Sequence, residues 1–509
     1  MFRKIMIMAS LLMPTMAHAN WQEASSTHFV VYANDTPDNV RRFTERLERF
    51  DAAMRVFRQL KSRPLVKANR VTVYVLDDLD DLQRLYGKGG SRIAGFYEGR
   101  AWGSVAFSPR KAGDYLSARE ILLHEYSHHF MLANWTDTAF PAWYVEGFAE
   151  LHATAIFRDD GSIIFGAVPE YRTYGVAWGN KLPLNDLLRP SQPQLNDEQT
   201  AALYGRGWLL SHYLTFNPGK QAEFGAYLAD INAGKPVAEA IAEFKGITDV
   251  TLNAYGQRPS LGSALIKADQ YKVDPVTIRE LSAGEAATMP ARMASQRGVD
   301  KETAPKVAAL ARKLAADYSN DTAAQMELAE AEYDAENFAA SEAAAERAIA
   351  IDANAVRAII YKGMAQVAAA KKAKETDPAK WQAIRRNFLT ANKLDNENPV
   401  PLMLYYDSFG EAGQAPTKNA QDGLLYAYAL APYDLNLRVK VGKVLLERGD
   451  TAQARTALAP VAYNPHAGPD NPMAKMIEVL DKDGPAAALK TLEEAEAKAK
   501  KDAEDKKKG

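Results

Sequence analysis

The sequence predicts an α+β domain followed by an all-α domain of repeated helices. Three observations support this fold class. The first half of the chain mixes strand-like segments with amphipathic helical segments, the second half is rich in alanine, and the second half repeats at about 34 residues. The 509 residues are 47% hydrophobic and 25% charged, which are the values of a folded globular protein rather than a disordered one.

Short segments near the start of the chain alternate between strand and helix patterns. Thr27–Ala33 and Arg70–Leu76 are rich in β-branched and aromatic residues and predict two strands. Pro37–Leu60 has apolar residues at helical spacing and predicts an amphipathic helix. A short helix is expected over 77–86, and a hairpin with glycines at its bends is expected over 94–108. A mixed sheet flanked by helices is the simplest assembly of these segments.

Helices are expected through the next part of the chain. Residues 117–132 are strongly helical, and Ser117 with Glu120 has the spacing of a capping box at the start of that helix. Apolar residues at helical spacing predict further helices over 141–157, 201–214 and 219–245.

The second half of the chain contains an internal repeat. Its turn positions recur at intervals of 43, 36 and 33 residues, at Ala353, Asn396, Pro432 and Pro465. The helix–turn–helix units between them resemble tetratricopeptide repeats in a degenerate form. An alanine-rich helical bundle without regular stacking is the alternative. Stacked repeats would present a concave surface for a peptide or a protein partner.

Composition divides the chain into five segments. Proline and glycine interrupt the middle of the chain, whereas alanine, lysine and acidic residues dominate its end. The segments are a signal peptide at 1–19, an α+β domain at 20–258, a linker with one or two strands at 259–300, helical repeats at 301–482, and a charged helical or disordered tail at 483–509.

The first nineteen residues have the pattern of an export signal. Arg3 and Lys4 precede a short apolar run, and Ala17-His18-Ala19 has small residues on either side of His18, as a cleavage site requires. We therefore expect cleavage after Ala19 and a periplasmic or secreted protein. No later apolar run is long enough to span a bilayer, so no stable membrane insertion is expected once the signal is removed.

Charge and cysteine content exclude several classes of function. The chain has 62 basic and 64 acidic residues, and its net charge of -2 argues against nucleic acid as a partner. It has no cysteine, which excludes thiol catalysis, disulfides and thiolate metal sites. Any metal must then be bound by histidine, aspartate or glutamate. A cysteine-free exported protein suits a bacterial periplasm.

A histidine pair carries the strongest chemical signal. Residues 124–128 read His-Glu-Tyr-Ser-His within a helical segment. His124 and His128 lie at i and i+4, so both imidazole rings can reach one ion from the same face of the helix. Glu125 lies between them, where it can take a proton from the attacking water.

A catalytic metal needs a third protein ligand, and several residues are candidates. Asp137 lies in a turn, and the side chain of His129 points about 100° away from that of His128 around the helix. Glu146 and Glu150 lie at i and i+4 on the next helix, which is otherwise apolar. Two carboxylates on one face of such a helix need a partner, so these two residues are the best candidates.

The motif His124–His128, followed by the segment Trp143-Tyr144-Val145-Glu146-Gly147-Phe148-Ala149, resembles the gluzincin metallopeptidases of the aminopeptidase N branch and its less characterised relatives. The resemblance is strongest over 119–152 and extends over 21–258. It implies a zincin-like domain with one zinc ion per chain. It also implies that His124, His128 and Glu146 are the metal ligands, that Glu125 is the general base, and that Glu150 orients a histidine ring.

The resemblance has further implications for the substrate. The Gly-x-Met-Glu-Asn segment that binds a free amine in the aminopeptidases is absent, and the spacing from His128 to Glu146 is one residue shorter, which favours an endopeptidase. Trp102–Ser108 would be the edge strand that pairs with an extended substrate. Tyr204 is the candidate donor to the oxyanion, and the alternatives are Tyr171, Tyr174 and His212.

The sequence thus predicts a zinc-dependent peptidase of the cell envelope whose repeats bind the peptide or protein substrate or a partner protein. A non-proteolytic protein-binding scaffold that uses the repeats is one alternative. A zinc amidase that acts on cell-wall peptides is another, because its metal ligands and general base would be the same.

Overall fold

The computed structural model describes residues 21–61, 66–90, 93–111, 117–177, 179–192, 194–466 and 471–508. These residues form an α+β protein that is mostly helical, in agreement with the predicted fold class. The expected signal peptide at 1–19 lies outside the described residues. None of the described helices combines the length and the apolar character that crossing a membrane requires.

Two sheets run through the described part of the α+β region. Their strands are β1 (Trp21–Ser25), β2 (Phe29–Asn34), β3 (Val71–Leu76), β4 (Phe96–Glu98), β5 (Ser104–Pro109), β6 (Ile156–Phe157), β7 (Ile163–Phe165), β8 (Ala264–Ile266) and β9 (Thr277–Glu280). The larger sheet has the order β4-β5-β3-β2-β1-β9, and the smaller one has the order β6-β7-β8. The larger sheet is mixed, because β3 pairs in parallel with β2 and β5 while the other pairs are antiparallel.

Helices surround these sheets. Within the α+β domain, which here means β1 to α11, they are α1 (Pro37–Phe57), α2 (Leu79–Tyr86), α3 (Ala118–Asn134), α4 (Ala142–Ala153), α5 (Thr173–Ala177), α6 (Leu184–Leu187), α7 (Asp197–Phe216), α8 (Lys220–Asn232), α9 (Val237–Ile241), α10 (Asp249–Gly256) and α11 (Ala283–Gln296).

The period-two alternation of the strands creates two cores. Val31 and Val73 face the larger core, in which α1 and α3 pack on the sheet and α4 and α7 pack beyond α3. Tyr32 and Tyr74 point to the opposite face, which α2 and α11 cover. Helices α3 and α4 are therefore held between the sheet and α7, and their side chains are fixed by packing on both sides.

Residues 259–300, where a linker with one or two strands is expected, contain two strands, and both pair with the sheets of the α+β domain. Strand β8 pairs with β7, and β9 pairs with β1, so both sheets include a strand from this segment. The segment also forms α11, which buries Met289 against the larger sheet. Proline and glycine here mark turns between short paired strands rather than a free connection.

The segment Trp102–Ser108 does not form the edge of the sheet. Its strand β5 pairs with β3 on one side and β4 on the other, so its backbone groups are already used. Among the described residues, the edge strands of the larger sheet are β4 and β9. The expectation that 102–108 pairs with an extended substrate is therefore wrong, because a strand with two neighbours has no free edge.

Helix α4 is shorter than its predicted span of 141–157. It ends at Ala153, because Ile156 and Phe157 leave the helix and pair with β7. Helix α7 begins before its predicted start at 201, with Asn196 as its N-cap. The C-terminal charged segment, expected to be helical or disordered, is helical and buries Ala488 and Leu492.

The rest of the described chain, called here the C-terminal helical domain, contains helices only. They are α12 (Ala304–Ala315), α13 (Thr322–Asp334), α14 (Phe338–Ile351), α15 (Val356–Lys372), α16 (Pro378–Leu394), α17 (Val400–Glu411), α18 (Lys418–Leu430), α19 (Leu435–Glu447), α20 (Thr451–Ala462), α21 (Pro472–Asp483) and α22 (Pro485–Lys508). Each helix packs on the next, and α11, α13, α15 and α17 also pack in a row.

Candidate metal centre

Helix α3 presents the two motif histidines one turn apart. Its start is fixed by the predicted capping box: Glu120 N donates to Ser117 Oγ at 3.2 Å, and Ser117 N donates to Glu120 Oε2 at 3.0 Å. The rings of His124 and His128 lie with their centroids 4.7 Å apart, and their Nε2 atoms are 3.1 Å apart. The helix thus directs two nitrogen atoms at one point.

Helix α4 brings Glu146 to the same point. Its Oε2 atom lies 3.4 Å from His124 Nε2 and 3.8 Å from His128 Nε2. Ligands at the usual zinc distances in a tetrahedral site lie about 3.3–3.6 Å from one another. The separations of 3.1, 3.4 and 3.8 Å bracket that range. His124, His128 and Glu146 therefore form a group that could hold a metal ion.

The Glu146 carboxylate needs a cation. Its side chain is fully buried, and neither oxygen makes an aligned hydrogen bond to a described residue. Burial by itself would raise the pKa of Glu146, but the surrounding histidines lower that pKa well below its usual range, so the group is ionised. A buried carboxylate without well-aligned hydrogen bonds is costly. A metal ion between Glu146 and the two rings would satisfy it.

The glycine after Glu146 allows α4 to approach α7 closely. A Cβ atom on Gly147 would overlap the carbonyl group of Gly207, and a Cβ atom on Gly207 would lie 2.5 Å from the carbonyl oxygen of Trp143. The two helices therefore cross at their glycines. This contact helps to position Glu146. It also explains why glycine follows Glu146, since a larger residue would block the approach of α4 to α7.

Glu150 lies behind His124 on the same face of α4 as Glu146. Its Oε1 atom is 3.3 Å from His124 Nδ1, and it accepts hydrogen bonds from Arg172 Nε and Tyr171 Oη, each at 2.8 Å. Burial would raise the pKa of Glu150, but His124 and Arg172 lower it below its usual range. The residue can thus fix the ring orientation of His124, as the resemblance implies.

The two motif histidines differ in their pKa. Burial lowers the pKa of His128 to about 3, so its ring is neutral and can bind a metal. Burial also acts to lower the pKa of His124, but Glu150 and Glu146 outweigh it and raise that pKa to about 10. Metal binding would therefore displace a proton from His124.

Glu125 points into a cavity of about 240 Å³ beside the metal group. His128 lies on the same wall, and the other neighbours are mainly apolar: Met131, Leu132, Phe140, Val145, Leu435 and Pro460. Burial raises the pKa of Glu125 above its usual range, although His124 opposes this. A carboxylate with a raised pKa is suited to accept and return a proton.

Tyr204, the candidate donor to the oxyanion, lies close to the metal group. The other candidates for that role are bonded to other residues or exposed. The ring of Tyr204 lies 6.2 Å from that of His124, with the Arg172 guanidinium 4.3 Å from its centre. Tyr171 is bonded to Glu150, and Tyr174 is 62% exposed. His212 is buried in α7, with Nδ1 2.8 Å from Tyr255 Oη and Nε2 3.0 Å from the Gly262 carbonyl oxygen.

His466 is a site residue that the sequence analysis missed. It lies in the turn after α20, and its Nε2 atom is 3.0 Å from Glu146 Oε1. The contact with Glu146 raises the pKa of His466. Sequence spacing could not connect the two residues, because they belong to different halves of the chain. The available signals were that His466 is one of only eight histidines and directly follows the turn position Pro465.

Two comparisons with known proteins gave no match. No protein-family model matches the chain, and no curated protein does. What the metal group can do is therefore inferred from its geometry and its chemistry.

Proposed function

We propose that the protein is a zinc-dependent endopeptidase of the gluzincin type. The observation that carries this proposal is the convergence of His124, His128 and Glu146 beside a cavity that Glu125 also lines. Two imidazoles and a carboxylate are a usual ligand set for a catalytic zinc ion with one open position. A protein that bound zinc only for stability would have no need of an ionisable group such as Glu125 in the adjoining cavity.

The residues around the cavity suit peptide hydrolysis. A zinc ion held by the three ligands would supply Lewis acidity toward the scissile carbonyl and the attacking water. Glu125 takes a proton from the attacking water and delivers it to the leaving amine. Tyr204 donates a hydrogen bond to the oxyanion that forms at the carbonyl. Glu150 keeps the ring of His124 in its binding orientation.

The walls of the cavity indicate the kind of peptide that binds. Met131 and Phe140 of the α+β domain line it together with Leu435 and Pro460 of the C-terminal helical domain. An apolar side chain next to the scissile bond would bury its surface there. We propose that the C-terminal helices form tetratricopeptide-like repeats that bind the rest of the substrate or a partner protein, in the cell envelope.

The test is metal content and peptide hydrolysis for residues 20–509 and for the variant Glu125→Gln. Glu198→Gln is the matched control, because Glu198 is an exposed residue of α7. We expect one zinc ion per chain in all three proteins, and hydrolysis of casein and of a quenched peptide library by all except Glu125→Gln. The loss of activity in Glu125→Gln should be at least about 100-fold, as for removal of a general base.

Other outcomes would contradict the proposal. Absence of zinc from all three proteins would exclude a metallopeptidase and leave the helical domain as a binding scaffold. Zinc without peptide hydrolysis would be tested further on cell-wall peptides, whose cleavage would assign an amidase.

A further inference from the structure

The two oxygens of Glu146 face different domains. Oε2 faces His124 and His128 of helix α3, at 3.4 and 3.8 Å. Oε1 faces His466 of the C-terminal helical domain, whose Nε2 atom is 3.0 Å away. One oxygen is thus available to a metal ion, while the other lies within hydrogen-bond distance of the His466 ring, whose centroid is 6.2 Å from that of His128.

His466 is not placed as a fourth ligand. Within the described part of the chain, the donor atoms that lie within 4.8 Å of one another belong to His124, His128 and Glu146, and this group does not include His466. The His466 side chain is 60% exposed, so its ring can turn to align an N–H group with Oε1. The ring therefore acts on the ligand rather than on the metal.

The turn that carries His466 is held in place locally. His466 N donates a hydrogen bond to Asn464 Oδ1 at 3.0 Å. Helix α20, which precedes the turn, is fixed to the α+β domain through Arg455. That side chain donates to the carbonyl oxygens of Asn232 at 2.7 Å and Ile231 at 3.1 Å, which lie at the C-terminal end of α8.

Helix α19 is docked next to it by buried polar groups. Asp434 Oδ2 accepts a hydrogen bond from the backbone N–H of Ala101 at 2.7 Å. The guanidinium of Arg438, which is fully buried, donates to the carbonyl oxygen of Thr136 at 3.3 Å. Buried groups of this kind lose their partners if the domains separate, so they specify one docked arrangement.

We propose that His466 is a positioning residue of the metal site. It holds Oε1 of Glu146, so that Oε2 stays directed at the two motif histidines. Metal affinity then depends on the docking of the C-terminal helical domain. This inference rests on the proposed function to the extent that the three donors bind a metal ion, but it does not require peptide hydrolysis.

The expected loss of zinc affinity can be estimated from other metal sites, in which residues that hydrogen-bond to a metal ligand have been substituted. A ligating carboxylate that loses such a partner can rotate away from the metal, and substitution of the partner usually weakens metal binding about 10-fold to 100-fold. Because His466 is 60% exposed and belongs to a surface turn, its removal should leave the fold intact.

The experiment is a zinc titration of residues 20–509 in competition with a chelator of known affinity. His466→Ala should bind zinc about 10-fold to 100-fold more weakly than wild type. His466→Gln, which keeps an N–H donor at that place, should recover most of the affinity. Gln453→Ala is the control, because Gln453 is an exposed residue of α20, the helix that precedes His466. It should bind zinc as wild type does.

A second variant tests the dependence on docking. Arg455→Ala removes the bonds to the end of α8, together with those to Asp481 of α21, so it should also weaken zinc binding. In a His466→Ala background the same change should have little further effect, because both substitutions act through one contact. If the losses of zinc affinity in the two single variants added up in the double variant, the two residues would not act through the same contact. Thermal unfolding of each variant shows whether the fold is retained.

The outcomes separate this inference from the proposed function. Equal zinc affinity of wild type and His466→Ala would overturn the inference, whether or not the protein cleaves peptides. Zinc binding that weakens as expected, in a protein that cleaves no peptide, would support the inference and contradict the peptidase. Absence of zinc binding in wild type would overturn both.

Discussion

The hydroxyl group of Tyr204 gives a direct test of the catalytic arrangement. Tyr204→Phe should lower kcat about 100-fold to 1000-fold, the usual effect of removing one oxyanion donor. KM and zinc content should stay unchanged, because the ring keeps its contacts with His124 and Arg172. Tyr174→Phe is the control, since Tyr174 is exposed. Steady-state kinetics would contradict the assignment if both variants kept wild-type kcat.

At the scale of residues, spacing within one helix carries most of the prediction. His124, Glu125 and His128 follow from a five-residue pattern, and their geometry depends only on the helical repeat. The choice between Glu146 and Glu150 needs the contact between two helices, and the structure directs Glu146 at the ring nitrogens that face each other. The contact of His466 with Glu146 depends on how the two domains dock, and no local sequence pattern predicts that docking.

The close crossing of α4 and α7 makes a prediction at the scale of elements. Gly147→Ala should lower the free energy of unfolding by about 1–3 kcal/mol, because a methyl group would overlap the carbonyl of Gly207. It should also weaken zinc binding, because Glu146 is the adjacent residue. Chemical denaturation and a zinc titration measure the two effects.

A second helical glycine provides the control for that experiment. A Cβ atom on Gly225 in α8 would have no neighbour within 4 Å. Gly225→Ala should therefore leave stability unchanged or raise it by up to about 1 kcal/mol through helix propensity. If Gly147→Ala were as stable as Gly225→Ala and bound zinc normally, the close approach of α4 and α7 would not be needed.

The elements that the sequence predicts well are those with a long local pattern. Helices α1, α3 and α7 and strands β2 and β3 agree with their predicted positions within a few residues. The short strands β8 and β9 depend on partners far away in the chain, and their segments carry little periodicity of their own. The predicted end of α4 is wrong for a local reason, because a hairpin with β7 takes Ile156 and Phe157 out of the helix.

A buried ion network links the larger sheet to the C-terminal helical domain. Glu327 of α13 is 2% exposed and binds Arg357 of α15 through both oxygens, at 2.7 and 2.9 Å. Arg292 of α11 lies 3.7 Å from the same carboxylate and donates hydrogen bonds to the hydroxyl groups of Tyr74 and Tyr32 on the sheet. The network therefore connects the sheet, α11 and the helical domain.

Glu327→Gln should lower the free energy of unfolding at neutral pH by about 1–3 kcal/mol, because Arg357 and Arg292 each lose one counter-charge while Glu330 and Glu285 remain beside them. Burial would raise the pKa of Glu327, but Arg357 and Arg292 lower it below its usual range. A lowered pKa stabilises the fold above the usual carboxylate range and ceases to do so as pH falls through the folded pKa. The difference between wild type and variant should therefore shrink below about pH 4.

Denaturant unfolding at pH 7 and pH 3 measures this difference. Glu346→Gln is the control, because Glu346 is 53% exposed and its ion pair with Lys362 lies at the surface. That change should alter stability by less than about 1 kcal/mol at either pH. A loss in Glu327→Gln that was equally large at both pH values would contradict the electrostatic explanation.

At the scale of the molecule, the division into an α+β part and a helical part follows from composition and repeat length. The contacts between the two parts cannot be predicted from composition or repeat length. Ala101 and Ala139 of the α+β domain share one buried cluster with Tyr433 and Leu437 of the helical domain. Such contacts depend on complementary shapes of residues that are hundreds of positions apart, and alanine-rich helices offer few signals of where they dock.

The order in which the chain is made has a consequence for when the site can work. The three metal donors and Glu125 lie before residue 147, whereas Leu435 and His466 lie after residue 434. A polypeptide that has been synthesised only to residue 400 has the donors but lacks one wall of the cavity and the group that steadies Glu146. Under the proposed function, the site of such a chain would be completed only when synthesis is nearly finished, so unfinished copies would not digest the chains around them.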